Sequence, residues 1–292
     1  MFETTGMART PTGGWRVNVE HRTTFRYDGE VRSSYNEARI TPRTTTTQTT
    51  LDATVELSAG AAAWRYTDYW GTTVTAFDTH SAHNELQVVG RSVVETAAIC
   101  PPPADIAWEI LSDPDSRDRF IELLVPTTRT AVDAEVAARA KELAAGNSPL
   151  GTAQAVADWV RGTVNYLPGA TGVQTNAMEA YHERAGVCQD LAHLTLGMLR
   201  SVGIPARYVS GYLHPVVDAP VGIPAEGQSH AWVEWWTGEW CAFDPTNGIF
   251  ADRRHVLVAR GRDYGDVAPL KGIYHGAPST TLEVSVTITR QA

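Results

Sequence analysis

The sequence predicts an α+β protein in two parts: an all-β first third, read as an antiparallel sandwich, and a second part in which helices precede strands. Three observations carry this. From Trp15 the chain alternates strictly, with Trp15, Val17, Val19, His21, Thr23, Phe25 and Tyr27 on one face, the period-two pattern of a half-buried strand. Cys100-Pro101-Pro102-Pro103 can continue neither strand nor helix and so marks a stiff boundary. Between Gly186 and Gly203 the apolar period changes to that of a helix, with Leu191, Leu194, Met198, Leu199 and Val202 on one stripe.

Residues 1–14 are polar, carry Pro11 and Gly13-Gly14, and read as a loose tail. The β part, 15–103, opens with the Trp15 strand and an Asp28-Gly29 hairpin turn. It continues through β-like runs at 31–40, 44–57, 72–77 and 86–94. Thr44-Thr45-Thr46-Thr47 suits a half-exposed strand and is given no chemistry. His80 and His83 read as surface-loop histidines, since no third metal ligand is near them in sequence. Helical patterns then take over in 104–276. Ala131 to Ala145 ends at Gly146-Asn147, and Ser148-Pro149 is an N-cap followed by proline at the first helical position. The cysteine helix follows, with Gly186 at its entry and Gly203-Ile204-Pro205 ending it. Strands are expected at 206–213, 230–236 and 240–243, with a Pro/Gly-rich loop at 214–228. Residues 277–292 carry a last strand, Leu282, Val284, Val286 and Ile288 in phase, packing on one of the two domains.

The 292 residues carry 43% hydrophobic content and a net charge of −9, ample for a buried core and without the basic footprint of nucleic-acid or anionic-membrane binding. No stretch approaches the ~20 apolar residues of a membrane span, and the start lacks a signal-peptide pattern, so a cytoplasmic location is expected. Three scattered cysteines, Cys100, Cys188 and Cys241, make neither a disulfide framework nor a zinc pair. No cofactor or metal is expected.

Cys188 falls in the first helical turn, where unpaired N–H groups and the positive end of the helix dipole favour a thiolate, the attacking form of the side chain. Such a nucleophile needs a general base and a group that orients the base. If Thr237-Gly238-Glu239 is a hairpin loop with Trp236 opposite Trp240, then Trp232 lies opposite Asp244. His230 becomes the diagonal neighbour of Asp244 on the same face. A one-residue slip would separate them. Cys241, of opposite parity, is assigned to packing. His193, five residues after Cys188, does not share its face closely and reads as a core or surface histidine. His182, Gln189 and Trp232 are candidates for the substrate groove.

Four segments in order resemble the core of the transglutaminase-like superfamily: Gly186-Val187-Cys188-Gln189-Asp190, then Gly203-Ile204-Pro205-Ala206-Arg207-Tyr208-Val209-Ser210-Gly211-Tyr212, then Ser229-His230-Ala231-Trp232-Val233-Glu234, then Phe243-Asp244-Pro245-Thr246-Asn247-Gly248. Val19 to Tyr27 resembles the β-domain that precedes this core in bacterial members, and Gly261 to Gly272 the segment that follows their aspartate. The resemblance implies a papain-like core, with a nucleophile helix packed on an antiparallel sheet. It implies Cys188 as nucleophile, His230 as base and then acid, and Asp244 as the orienting group. The backbone N–H of Cys188 and the hydroxyl of Tyr166 are the oxyanion candidates; Trp159 does not align with the indole donor of animal transglutaminases. Calcium activation is not implied.

The expected chemistry is attack of Cys188 on an amide carbonyl to give a thioester, followed by hydrolysis of a peptide or isopeptide-type amide in a peptide or protein substrate. Transfer of a glutamine acyl group to an amine, as in a protein-glutamine gamma-glutamyltransferase, is the alternative. A non-catalytic binding protein on the same fold is the second.

Overall fold

The computed structural model describes residues 13–58, 61–98 and 105–292. Residues 1–12 of the expected tail and the Cys100–Pro103 boundary lie outside the described residues. The β part holds β1 (Trp15–Ala38), β2 (Gln48–Leu57), β3 (Ala62–Thr67), β4 (Thr73–Thr79) and β5 (His83–Thr96). The helical part holds α1 (Trp108–Ser112), α2 (Pro114–Arg119), α3 (Ile121–Leu124), α4 (Ala134–Ala144), α5 (Pro149–Thr163), β6 (Asn165–Tyr166), α6 (Ala177–Glu183), β7 (Ala185–Gly186) and α7 (Cys188–Ser201). Then come β8 (Ala206–Leu213), β9 (Pro224–Trp236), β10 (Trp240–Asp244), β11 (Ile249–Phe250), β12 (His255–Gly261), α8 (Tyr264–Val267), β13 (Leu270–Gly276) and β14 (Ser279–Arg290).

The Asp28-Gly29 hairpin does not form. β1 runs through it as one strand of 24 residues with a register shift between Arg26 and Val31. A tight hairpin of this type needs positive φ at its central residues, and neither has it. Each half of β1 finds its own partners: the first lies between β5 and β14, the second between β4 and β13. Tyr27, Val31, Phe77, Leu86 and Val88, from β1, β4 and β5, close a small core between them. β2 borders β5 but starts only at Gln48, so the threonine run is a loop.

β14 joins the two parts rather than packing on one. It pairs with β1 from Val17 to Tyr27 and, through Val286–Thr289, with Gly227–Pro224 of β9. β13, placed with the core on sequence, pairs with the second half of β1. The outcome is one antiparallel sheet of 12 strands reaching from the N-terminal part into the core.

Helix caps follow local chemistry. The Asp133 and Ser148 side chains accept from the N–H groups of Val136 and Gly151 at 2.9 and 3.3 Å, and Pro149 takes the first position of α5 as expected. α6, not expected on sequence, opens with a capping box in which the Asn176 side chain accepts from Glu179 N while Glu179 accepts from Asn176 N. Among the described residues no helix is long and apolar enough to cross a membrane.

α7 is not amphipathic in place. It is buried from Gln189 to Arg200, packed against β8 and β9 and against α3, α4, α5 and α6. Two of its buried polar residues are bonded as follows. Thr195 Oγ1 donates to Leu191 O at 2.7 Å, and Arg200 donates to Ala206 O, Thr130 Oγ1 and Arg262 O, tying the helix end to three segments. Gly197 lets the Thr130 carbonyl lie against the helix, where a Cβ would overlap it and the Val132 side chain.

Helix propensity alone favours Gly197→Ala by about 1 kcal/mol. The Thr130 overlap is expected to reverse the sign and cost about 1 to 3 kcal/mol in urea unfolding. A stabilised Gly197→Ala protein would contradict this packing.

Candidate active site

Cys188 is the first residue of α7, so its own N–H is one of the groups a helix start leaves without an intrahelical acceptor. Its side chain is half-buried. Asp190, fully buried two residues on, fixes this entry: Oδ2 accepts from Val187 N at 2.8 Å and from the Thr171 hydroxyl at 2.5 Å. Burial raises the Asp190 pKa against the effect of those bonds. Gly186 is needed here for close approach, not for a left-handed turn: a Cβ would stand 2.9 Å from Asp190 Cβ, and its φ is not positive. β6 and β7 pair in parallel with Tyr166 opposite Gly186, which brings the tyrosine beside the thiol.

The hairpin of β9 and β10 has the expected register. Trp240 faces Trp236 and Phe243 faces Val233, with Gly238 of the loop at φ +108°. His230 and Asp244 therefore share a face, with His230 Nε2 at 2.7 Å from Asp244 Oδ2. The Cys188 side chain acts on the same ring, and with Nε2 engaged by the carboxylate, Nδ1 is the nitrogen left to face the sulfur. Both residues are buried, at 7% and 0% exposure. Burial opposes charge on His230, but the hydrogen bonds and charges of Asp244 and Cys188 outweigh it and push the ring up to about 10. Burial likewise opposes charge on Asp244, yet bonds from His230 and His255 hold its carboxyl far below the usual carboxylate range. Oδ1 accepts from Thr246 N and Asn247 N at 2.9 and 3.1 Å, and Oδ2 from Asn247 Nδ2 at 2.7 Å.

The other sequence candidates divide. Tyr166 is 44% exposed, and the charges of Cys188 and Asp244 add to burial in raising its pKa, so it stands at the site's open edge. Gln189 is buried and directs Nε2 towards Val173 O at 3.5 Å, bracing the loop before α6 rather than lining a groove. His182 is exposed on α6, its ring against Tyr181. Trp232 is 1% exposed and stacks on His230 at 6.2 Å, so it backs the ring from beneath and is no open groove wall. His193 is buried, accepts from Tyr264 N at 3.2 Å, and burial drives its pKa down to about 3. Cys241 packs in the main core on the opposite face of the hairpin, and Trp159 stacks on Tyr181.

Sequence reasoning missed His255. It opens β12, is buried, and places Nε2 3.3 Å from Asp244 Oδ2 while Nδ1 accepts from Asp252 N at 3.1 Å. No spacing signals this. His255 reaches Asp244 only because β12 pairs with β8, which in turn pairs with β9. The ligand atoms of His230, Asp244 and His255 lie within 4.8 Å of one another, a grouping that could hold a metal ion. The 2.7 Å separations of His230 Nε2 and Asn247 Nδ2 from the same Asp244 oxygen are those of hydrogen bonds, and the Asn247 amide is a donor directed where an ion would sit.

A carboxylate with a depressed pKa stabilises the fold above its ordinary range and loses that contribution as pH falls. Removing the His255 donor in His255→Leu is expected to move the acid-unfolding midpoint, followed by circular dichroism, to higher pH. An unchanged or lower midpoint would show that His255 does not support the charge of Asp244.

With this geometry in view, the comparisons with known proteins agree across the chain. The family described as the transglutaminase-like superfamily matches residues 137–245, and the bacterial transglutaminase-like N-terminal region matches residues 17–95. An uncharacterized protein of Mycobacterium leprae is 49% identical over 278 residues, 95% of this chain and 100% of that one. A protein-glutamine gamma-glutamyltransferase of Pseudomonas aeruginosa is 33% identical over 121 residues, 38% of this chain and 18% of that protein. A solved structure from Cytophaga hutchinsonii, provisionally named a cysteine protease, shares the fold with a TM-score of 0.72 at 22% identity, covering 96% of this chain and 99% of that one. Matched from its first strand to its buried hairpin, this chain belongs to the transglutaminase-like superfamily and carries the bacterial N-terminal region ahead of the core.

Proposed function

We propose that this protein is a cysteine hydrolase of peptide or isopeptide-type amides, working through Cys188, His230 and Asp244. The observation that carries the reading is the buried His230 ring, hydrogen-bonded through Nε2 to Asp244 at 2.7 Å and raised in pKa by Asp244 and Cys188 together. In the first step the Cys188 sulfur, its proton on His230, attacks the amide carbonyl carbon. The developing oxyanion meets the N–H of Cys188 and the hydroxyl of Tyr166. His230 gives its proton to the departing amine as the C–N bond breaks, leaving a thioester. Water then attacks the thioester with His230 accepting its proton, and the acid leaves as the thiol reforms. Asp244 stays ionised throughout and holds the ring in place. Water as acceptor is supported by the open edge of the site, where Tyr166 is 44% exposed.

The name of the Pseudomonas aeruginosa relative favours a second reading, in which an amine takes the acyl group. Both readings share the thioester and separate in one experiment. A library of glutamine-containing peptides is incubated with the protein, with and without a primary amine, and read by mass spectrometry. Cleavage or a gain of ~1 Da marks hydrolysis and amine adducts mark transfer. Cys188→Ala is expected to reduce either product by more than about 10⁴-fold with the fold intact. Product formation retained in Cys188→Ala would remove Cys188 from the chemistry.

A histidine whose pKa is raised on folding stabilises the protein fully below its ordinary value of 6.5, and the contribution is lost as pH rises towards about 10. His230→Gln is therefore expected to flatten the fall of Tm between about pH 7 and about pH 10. Parallel wild-type and His230→Gln curves over that window would contradict the ion pair.

A further inference from the structure

One cavity in the described structure does not include Cys188 in its lining. About 540 Å³ in volume, it lies along the Trp232 and Ala242 face of the hairpin, between the N-terminal part and β12, a size that suits a small organic ligand. One wall is the threonine run Thr44–Thr47, which the catalytic reading leaves unused. Ala242 lies at the floor, beside the buried Trp232 and His255 that back His230 and Asp244, and Cys188 is not in the lining.

The lining carries three arginines and three carboxylates, but they are unevenly placed. Glu234 is buried and already shared by two guanidiniums, with Arg207 Nε at 2.6 Å and Arg260 Nη2 at 2.7 Å. Asp252 is engaged by Arg254. Arg43 adds a third guanidinium whose hydrogen bond goes to the Trp70 carbonyl at 2.9 Å; the charges of Glu234 and Asp68 reach it, but among the described residues it forms no direct ion pair. The remaining acid of the lining, Glu239, is exposed at the hairpin tip. A cation without a direct ion pair in a partly buried cavity is costly unless an anion meets it.

We propose that this cavity binds a small organic oxyanion, a carboxylate or phosphate monoester with an apolar body. Arg43 and Arg260 are the lining cations assigned to the anion, and Phe250 and Leu257 the lining side chains assigned to the body. The site stands independently of the reaction at Cys188.

The test uses the full chain, with calorimetry and tryptophan fluorescence as readouts, since Trp232 and Trp240 line the cavity. Benzoate, phenyl phosphate and inorganic phosphate are the probes, with uncharged benzamide as the control; benzoate against phenyl phosphate distinguishes the two sources of oxyanion. Saturable binding of at least one organic anion is expected, with benzamide silent. Affinity should fall about tenfold in Arg43→Gln, the loss of one charge-assisted bond. Ala242→Leu, which fills the floor without changing charge, should block binding, and it decides the matter if Arg43→Gln fails to fold. Cys188→Ala should bind as the wild type does. The proposal is overturned by no saturable binding, by inorganic phosphate binding alone, by benzamide binding equally, by full affinity in either cavity variant, or by loss of binding in Cys188→Ala.

Discussion

The carboxylate of Asp244 is the constraint around which the second half of the structure is arranged. It has no exposure and is ionised, so it persists in the interior only because donors from separate segments converge on it. His230 comes from β9, Thr246 and Asn247 from the turn after β10, and His255 from β12. Each must be in place for the charge to be tolerated. The same bonds that make the carboxylate tolerable hold the His230 ring towards Cys188.

That arrangement depends on the sheet, and the sheet depends on both ends of the chain. β9 carries His230, and its beginning is held by β14, which pairs along its length with β1. Gly227 makes this junction possible, since a Cβ there would stand 2.7 Å from Ile288. The N-terminal part is therefore continuous with the strand that positions the histidine. Gln48 adds a second tie by donating to Leu257 O and accepting from Leu257 N, which fastens the start of β2 to β12, the strand of His255.

Much of the candidate site was legible because it rests on local rules. Cys188 at a helix start follows from the change of apolar period and the flanking glycines, and the pairing of His230 with Asp244 follows from loop length and parity along the hairpin. What failed locally failed for tertiary reasons. Asp28-Gly29 reads as a turn, but two sets of neighbouring strands hold that stretch extended. Trp232 reads as a groove wall by its type and place, yet it is sealed between His230 and His255. The α7 stripe reads as one buried face, while packing from several elements buries the whole helix.

By itself the sequence determined the α+β character, the place of Cys188 at a helix start and the pairing of His230 with Asp244, because strand parity, helix period and turn length act over a few residues. Tertiary structure alone decided that His255 joins Asp244, that β14 binds both parts, and that Thr44–Thr47 and three arginines enclose a cavity behind the hairpin. These contacts join residues far apart in the chain. No local period encodes them, and they exist only once the order and register of the sheet are set.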